Sequence, residues 1–81
     1  MVGRAVIPVG FPPVSPEQYQ AWWRRIQELC RLARRLGLNA YLSKADPMRP
    51  LDVLNPNVLV VEGDGRKIGL FKLIARRRSL L

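Results

Sequence analysis

Arginine is the residue type in this sequence whose number and spacing point most directly to chemistry. Lysine and arginine together number 14 against 6 aspartate and glutamate residues, which gives a net charge of +8 on 81 residues. The guanidinium group of arginine is a planar fork of donors that fits phosphate and can stack on nucleobases. Solvated charged surfaces built from ion-pair networks need acids in similar number. The excess of arginine therefore favours a polyanionic partner, with nucleic acid as the leading class.

The basic residues fall into two groups. Arg24, Arg31 and Arg35 share one side of a segment with helical periodicity, with Glu28 among them. Arg24 and Arg31 would lie roughly 10 Å apart along one line, so this ridge could follow phosphates. The second group follows Gly65 and ends in three consecutive arginines. The candidate nucleic-acid contacts are Arg24, Arg31, Arg34, Arg35, Arg66, Lys67, Lys72, Arg76, Arg77 and Arg78. A solvated helix face and a solubilising tail are the structural alternatives.

The sequence lacks the residues that most catalytic sites use. It contains no histidine and a single cysteine, Cys30, so neither a Cys/His nucleophile pair nor a His/Cys metal site is available. Cys30 is most simply a small core residue. Asp46, Asp52, Glu62 and Asp64 are interpreted as loop, cap and turn residues. We therefore expect a protein that is not an enzyme, with no catalytic residues, no metal and no cofactor.

In the middle of the chain, the segment 36–42 follows a helix, and residues 55–66 read as a strand that ends in a turn. This arrangement resembles the core of the restriction-endonuclease-like nucleases. In that family a Pro-Asp pair opens the first hairpin strand and an acid-x-lysine closes the second, and these hold Mg²⁺ and a water. Here Asn57 follows Pro56, and the returning segment offers Lys72-Leu73-Ile74. The resemblance implies an inactive relative without the metal ligands.

A long helix must position the first arginine group. Ser15 is a natural N-cap, Pro16 suits the first helical position, and Gln18 completes a capping box. Val14 and Tyr19 are placed to form a hydrophobic staple. The apolar residues that recur at intervals of three and four residues are Trp22, Trp23, Ile26, Leu29, Cys30, Ala33 and Leu36. With Gly37 as the stop, the pattern predicts a helix from about Pro16 to Leu36. Trp22 is expected in the core, whereas Trp23 lies at the edge of the apolar stripe and could either pack there or stack on a base.

The rest of the chain reads as strands and loops. Pro8 places the first strand at a sheet edge because proline cannot donate to a ladder, and three prolines mark a long loop. The predicted segments are strand Val2–Val9, strand Leu38–Ser43, loop Ala45–Pro56, strand Val58–Val61, the turn Gly63-Asp64-Gly65 and strand Lys67–Ala75. The order β-α-β-β-β predicts an α+β fold with one long helix on a three- or four-stranded sheet and a C-terminal hairpin. We expect one domain over residues 1–75 and a basic tail over 76–81.

Both faces of the predicted hairpin are apolar. In its second strand Ile68, Leu70 and Ile74 point to one side, whereas Phe71 and Leu73 point to the other. One helix covers only one face. Phe71 and Leu73 are therefore candidate docking residues, unless the N-terminal segment or the loop covers that face.

In overall character the chain resembles the small accessory proteins of archaeal ribosomes. It is short, rich in arginine and punctuated by proline. The resemblance implies a non-catalytic RNA-binding protein of the ribosome or another ribonucleoprotein, with ribosomal RNA as the favoured partner. The alternatives are a protein-docking or dimerisation module and a small DNA-binding regulator. No stretch is apolar and long enough for a signal peptide or a membrane span, so we expect a cytoplasmic location and no membrane or small-molecule partner.

Overall fold

Two helices cover one face of a three-stranded antiparallel sheet in the computed structural model, which describes residues 1–81. The predicted α+β class is confirmed, but the stated order and the C-terminal hairpin are wrong. The sheet order is β1-β3-β2, so β3 is central and the other two strands are edges. The elements are β1 Val2–Gly10, α1 Pro16–Arg35, β2 Asn39–Lys44, β3 Asn57–Asp64 and α2 Gly65–Arg77.

Strand β1 lies at a sheet edge, as Pro8 predicted. It pairs with β3 from Val2 opposite Asp64 to Pro8 opposite Val58, and the register shifts between Pro8 and Gly10. The alternation of a strand turns Ala5, Ile7 and Val9 toward the helices, where they are buried. Every second residue of β1 therefore belongs to the core.

Helix α1 begins at Pro16 as predicted and ends at Arg35, one residue before the predicted end. Its start differs in detail from the expected capping box. Ser15 has the extended backbone of an N-cap, but its side chain makes no capping hydrogen bond, and Val14 is fully exposed, so the staple does not form. The fixed φ of Pro16 and the burial of Ile26, Leu29 and Ala33 define this helix instead.

The segment Lys67–Ala75, predicted as a strand, is part of helix α2. The Asp64 carboxylate accepts the backbone N–H groups of Arg66, at 2.8 Å, and Lys67, at 3.3 Å, and so caps the first turn. Ile68, Phe71 and Ala75 are buried at helical spacing. The turn predicted at Gly63-Asp64-Gly65 is therefore the end of β3 and the start of α2. The hairpin lies earlier, where β2 pairs with β3.

Helix α2 extends to Arg77, beyond the domain boundary that we placed at residue 75. After it, the backbone N–H of Leu80 donates to the Ala75 carbonyl, and Leu80 is buried. The Arg25 Nε donates to the Leu80 carbonyl at 2.7 Å. Residues 76–81 thus complete α2 and tie the end of the chain to α1.

The core lies between the two helices and one face of the sheet. Its largest fully buried side chain is Phe71, which is 0% exposed and joins Leu29, Ala33, Leu59 and Val61 in one cluster. Phe71 therefore does not face a partner, which corrects its prediction as a docking residue. The reason is the helical spacing of α2, which turns Phe71 to the buried side.

Phe71→Ala should destabilise the protein far more than Leu73→Ala. Deletion of a buried phenylalanine ring costs about 3–5 kcal/mol, whereas Leu73 is 46% exposed and its truncation should cost about 0.5 kcal/mol or less. Urea denaturation of both variants measures the difference. Equal losses of unfolding free energy would contradict the placement of α2.

Asp64→Ala should lower the urea midpoint, whereas Ser15→Ala should leave it unchanged, because only Asp64 makes capping hydrogen bonds. The hydrogen bonds from the backbone N–H groups of Lys67 and Arg66 lower the pKa of Asp64 in the folded protein. The contribution of the Asp64 carboxylate to the free energy of unfolding is therefore present at neutral pH and is lost as the pH falls below about 4. Denaturation of both variants at pH 7 and pH 3 tests this. A difference between Asp64→Ala and wild type that persists unchanged at pH 3 would contradict it.

Candidate nucleic-acid interface

The two helices carry the positive charge of the whole protein. From Pro16 to Arg35 and from Gly65 to Arg78, eleven basic side chains face two acidic ones, a net charge of +9. The remaining residues carry three basic and four acidic side chains, a net charge of −1. All ten predicted contacts lie in this helix layer, and all ten are exposed. The charge of +8 is therefore concentrated on one side of a two-layered molecule.

The α1 ridge lies where its periodicity placed it. Arg24, Arg31 and Arg35 are exposed on the side of α1 opposite the buried Ile26 and Ala33. Glu28 lies among them, yet neither helix forms a salt bridge. The single ion pair of the protein joins Arg49 and Asp52 in the loop between β2 and β3. The guanidinium groups of the ridge therefore keep their donors available.

A groove between the helices joins the two basic groups that are distant in sequence. Glu28, Arg31, Leu32 and Arg35 of α1 line it together with Arg78 from the C-terminal cap of α2, and its volume is about 290 Å³. Packing of α2 beside α1 thus adds Arg78 to the ridge. The proximity of Arg78 to the ridge could not be predicted from the sequence, because it depends on residues 65–77 forming a helix.

Lys67 lies at the other end of the helix pair. A Cβ atom at Gly37 would lie 3.4 Å from the Lys67 Nζ, so the ammonium group is close to the C-terminal end of α1. A cation there interacts favourably with the helix dipole. Lys67 therefore adds an exposed positive charge near the C-terminal end of α1.

A third set of basic residues lies on the β1 side. Arg25, Lys72 and Arg76 line a groove of about 350 Å³ with Leu81 and residues of β1. Arg25 is held by its hydrogen bond to Leu80, which gives it a structural role that the sequence did not reveal. Lys72 and Arg76 are one helical turn apart, and both are exposed.

A groove lined mainly by hydrophobic residues separates α1 from the edge strand β2. Its volume is about 370 Å³, and it is lined by Trp23, Ile26, Gln27, Cys30, Arg31, Arg34, Ala40, Tyr41 and Leu42. Burial raises the pKa of the Cys30 thiol above its ordinary value, and Arg34 lowers it to a smaller extent. Cys30 is accordingly a neutral, apolar part of the wall. The position of Trp23 at the edge of the apolar stripe was the one sequence signal for this groove.

No helix covers the opposite face of the sheet. There Val6 and Tyr41 flank Val60, which is buried between them although no second layer lies over it. Interaction with the Glu62 carboxylate raises the pKa of Tyr41, and Arg4 lowers it to a smaller extent. This face is therefore part apolar and part charged, and the exposed apolar residues lie on its two edge strands.

The loop between β2 and β3 is ordered by its own hydrogen bonds. The buried Asn55 side chain accepts from the backbone of Asp46 and donates to the carbonyls of Asp46 and Arg49. Asp52 accepts from the backbone of Leu54. Four apolar side chains of this loop are nevertheless largely exposed, namely Met48, Leu51, Val53 and Leu54.

The structure lacks the returning strand after β3 that the resemblance to the nucleases requires. Lys72-Leu73-Ile74 lies within α2, and Asn57 is the first residue of β3. No three cysteine, aspartate or glutamate side chains converge to a possible metal site. Neither helix combines the length and apolar character needed to cross a membrane.

Comparisons with protein families, with curated proteins and with solved structures find no match to this chain.

Proposed function

We propose that the protein is a non-catalytic RNA-binding protein that contacts the phosphates of folded RNA through its helix layer. The observation that carries the proposal is the separation of charge, +9 on the two helices together with the C-cap residue Arg78, against −1 elsewhere. Each guanidinium or ammonium group that replaces a counterion at a phosphate contributes to affinity by releasing that counterion. The helix layer concentrates such groups on one surface.

The distribution of the basic residues favours RNA over DNA. Readers of the DNA major groove typically insert one helix or a two-stranded ribbon into it. Here the basic side chains are spread over two neighbouring helices of a flat molecule that measures 36 × 30 × 15 Å. A broad basic face of this kind suits recognition of RNA shape through phosphates and ribose hydroxyls. The residues would neutralise phosphate and read shape, as in a structural component of a cytoplasmic ribonucleoprotein such as the ribosome.

Protein docking is the second candidate function, and the loop between β2 and β3 favours it. This loop holds four exposed apolar side chains on a backbone fixed by Asn55. Clustered exposed apolar residues mark interaction surfaces. The loop, residues 45–56, carries two acidic residues and one basic residue, and Arg49 is already paired with Asp52, so a partner there would be held mainly by apolar contact.

Neutralisation of the inter-helix groove should weaken RNA binding more than an equal neutralisation elsewhere. We expect Arg31→Gln with Arg35→Gln to lower the affinity for a 20-bp RNA duplex by about tenfold or more, and to reduce the slope of log affinity against log salt by about 2. The matched control is Arg4→Gln with Lys44→Gln, which removes the same charge from the sheet. Fluorescence anisotropy between 50 and 300 mM salt measures both.

Two outcomes would contradict the proposal. Equal losses in the two double variants would show that net charge, and not the helix layer, determines binding. A wild-type protein that does not bind the duplex at low salt would show that the protein is not an RNA-binding protein of this kind.

A further inference from the structure

We infer that the groove between α1 and β2 holds an unpaired nucleobase that stacks on Trp23, with the neighbouring phosphates bound by Arg31 and Arg34. The inference rests on the proposed function and deepens it, since it names single-stranded RNA as a second substrate class. The protein would then bind a junction, with helical RNA on the helix layer and a looped-out or terminal base in the groove.

The groove has the size and lining that a base requires. Its 370 Å³ falls within the roughly 300–1,000 Å³ of small-molecule sites. Ile26, Cys30 and Leu42 make its walls apolar, while the Gln27 amide can both donate to and accept from a base edge. Trp23 is 40% exposed, which leaves part of its ring free for stacking.

Neighbouring aromatic residues position Trp23. The Trp22 Nε1 donates to the Val9 carbonyl at 2.7 Å and so ties that indole to β1. The ring centroids of Trp22 and Trp23 lie 6.1 Å apart, and those of Tyr19 and Trp22 lie 5.7 Å apart. Trp23 therefore rests against an anchored ring. A stacking surface fixed before binding loses little conformational entropy when a base arrives.

The charges around the groove select an anion. Arg31 and Arg34 are the only charged side chains that line it. Arg31 also lines the inter-helix groove with Arg35 and Arg78. One strand could therefore place its phosphates along the α1 ridge and turn a base past Arg31 into the apolar groove. Base stacking on an aromatic ring beside a basic track is the usual form of single-strand binding.

An extended acidic peptide is the competing occupant, because β2 is an edge strand whose outer side is unpaired. Such a peptide could add a fourth strand to the sheet. We favour the nucleobase because the groove presents an indole ring between the basic ridge and the strand, and because its two guanidinium groups continue the basic track of the helix layer.

The first test compares Trp23→Leu with Phe11→Leu, a matched change of an aromatic residue that is 50% exposed and lies outside both the groove and the aromatic cluster. The probes are a 12-nucleotide single-stranded oligoadenylate and a 20-bp RNA duplex. Trp23→Leu should lower affinity for the oligoadenylate by about 5- to 150-fold, which corresponds to 1–3 kcal/mol of stacking, and should leave duplex affinity unchanged. Phe11→Leu should change neither affinity.

The second test uses the wild-type protein, so that it does not depend on the folding of a variant. Cys30 is the one cysteine of the chain and lines the groove. The rate of its alkylation by iodoacetamide at pH 8.5 should fall about tenfold or more when oligoadenylate saturates the protein. Saturation with the duplex should leave the rate within about twofold of that of the free protein.

The results separate this inference from the proposed function. If the duplex binds through Arg31 and Arg35 but oligoadenylate neither protects Cys30 nor depends on Trp23, the groove inference is overturned and the proposed function stands. If neither RNA binds at low salt, both fail. If a Glu- and Leu-rich 12-residue peptide protects Cys30 and oligoadenylate does not, the groove is a peptide site and the inference is again overturned.

Discussion

Burial of two apolar helix stripes on the same face of one small sheet is the constraint that organises this protein. Leu29 and Ala33 from α1 and Phe71 and Ala75 from α2 are fully buried against the sheet. Because each helix has one buried side, the opposite sides of both helices must point away from the sheet together. The arginines that occupy those sides therefore share one layer. The positive surface follows from the packing of the core.

The same constraint assigns different roles to neighbouring arginines. Arg25 lies toward α2, where it holds the Leu80 carbonyl and fastens the end of the chain. Arg31 lies on the exposed side and contributes to two grooves, one between the helices and one between α1 and β2. In the proposed function and the further inference, this position lets Arg31 contact both helical and single-stranded RNA. Arg49, by contrast, forms an ion pair with Asp52 within the loop between β2 and β3.

The parts of the fold that follow from local signals could be predicted from the sequence. Helix α1 was predicted to within one residue because its stripe repeats over 20 residues between Pro16 and Gly37. Helix α2 was mistaken for a strand because Ile68, Leu70 and Ile74 alternate while Ile68, Phe71 and Ala75 follow a helical period. Over such a short apolar segment the two patterns overlap. The capping ability of Asp64 was the signal that could have separated them.

Some features of the candidate site could likewise be predicted from the sequence, and others could not. The exposure of the ten basic residues was predictable, because charged side chains seldom become fully buried. Their grouping was not, since the meeting of Arg78 with Arg31 requires α2 to be a helix beside α1. The α1–β2 groove could not be predicted from the sequence either. It lies between a helix and an edge strand, and β2 is an edge strand only because β3 pairs between β1 and β2.

The helix layer is the proposed RNA-binding surface. An amide chemical-shift titration of ¹⁵N-labelled protein with an RNA hairpin tests it most directly, since it reports on every element at once. The largest shift changes should fall on the exposed sides of α1 and α2, around Arg31, Arg35 and Arg78, with small changes elsewhere. Changes concentrated on the uncovered sheet face around Val6 and Tyr41, or on the loop between β2 and β3, would contradict it.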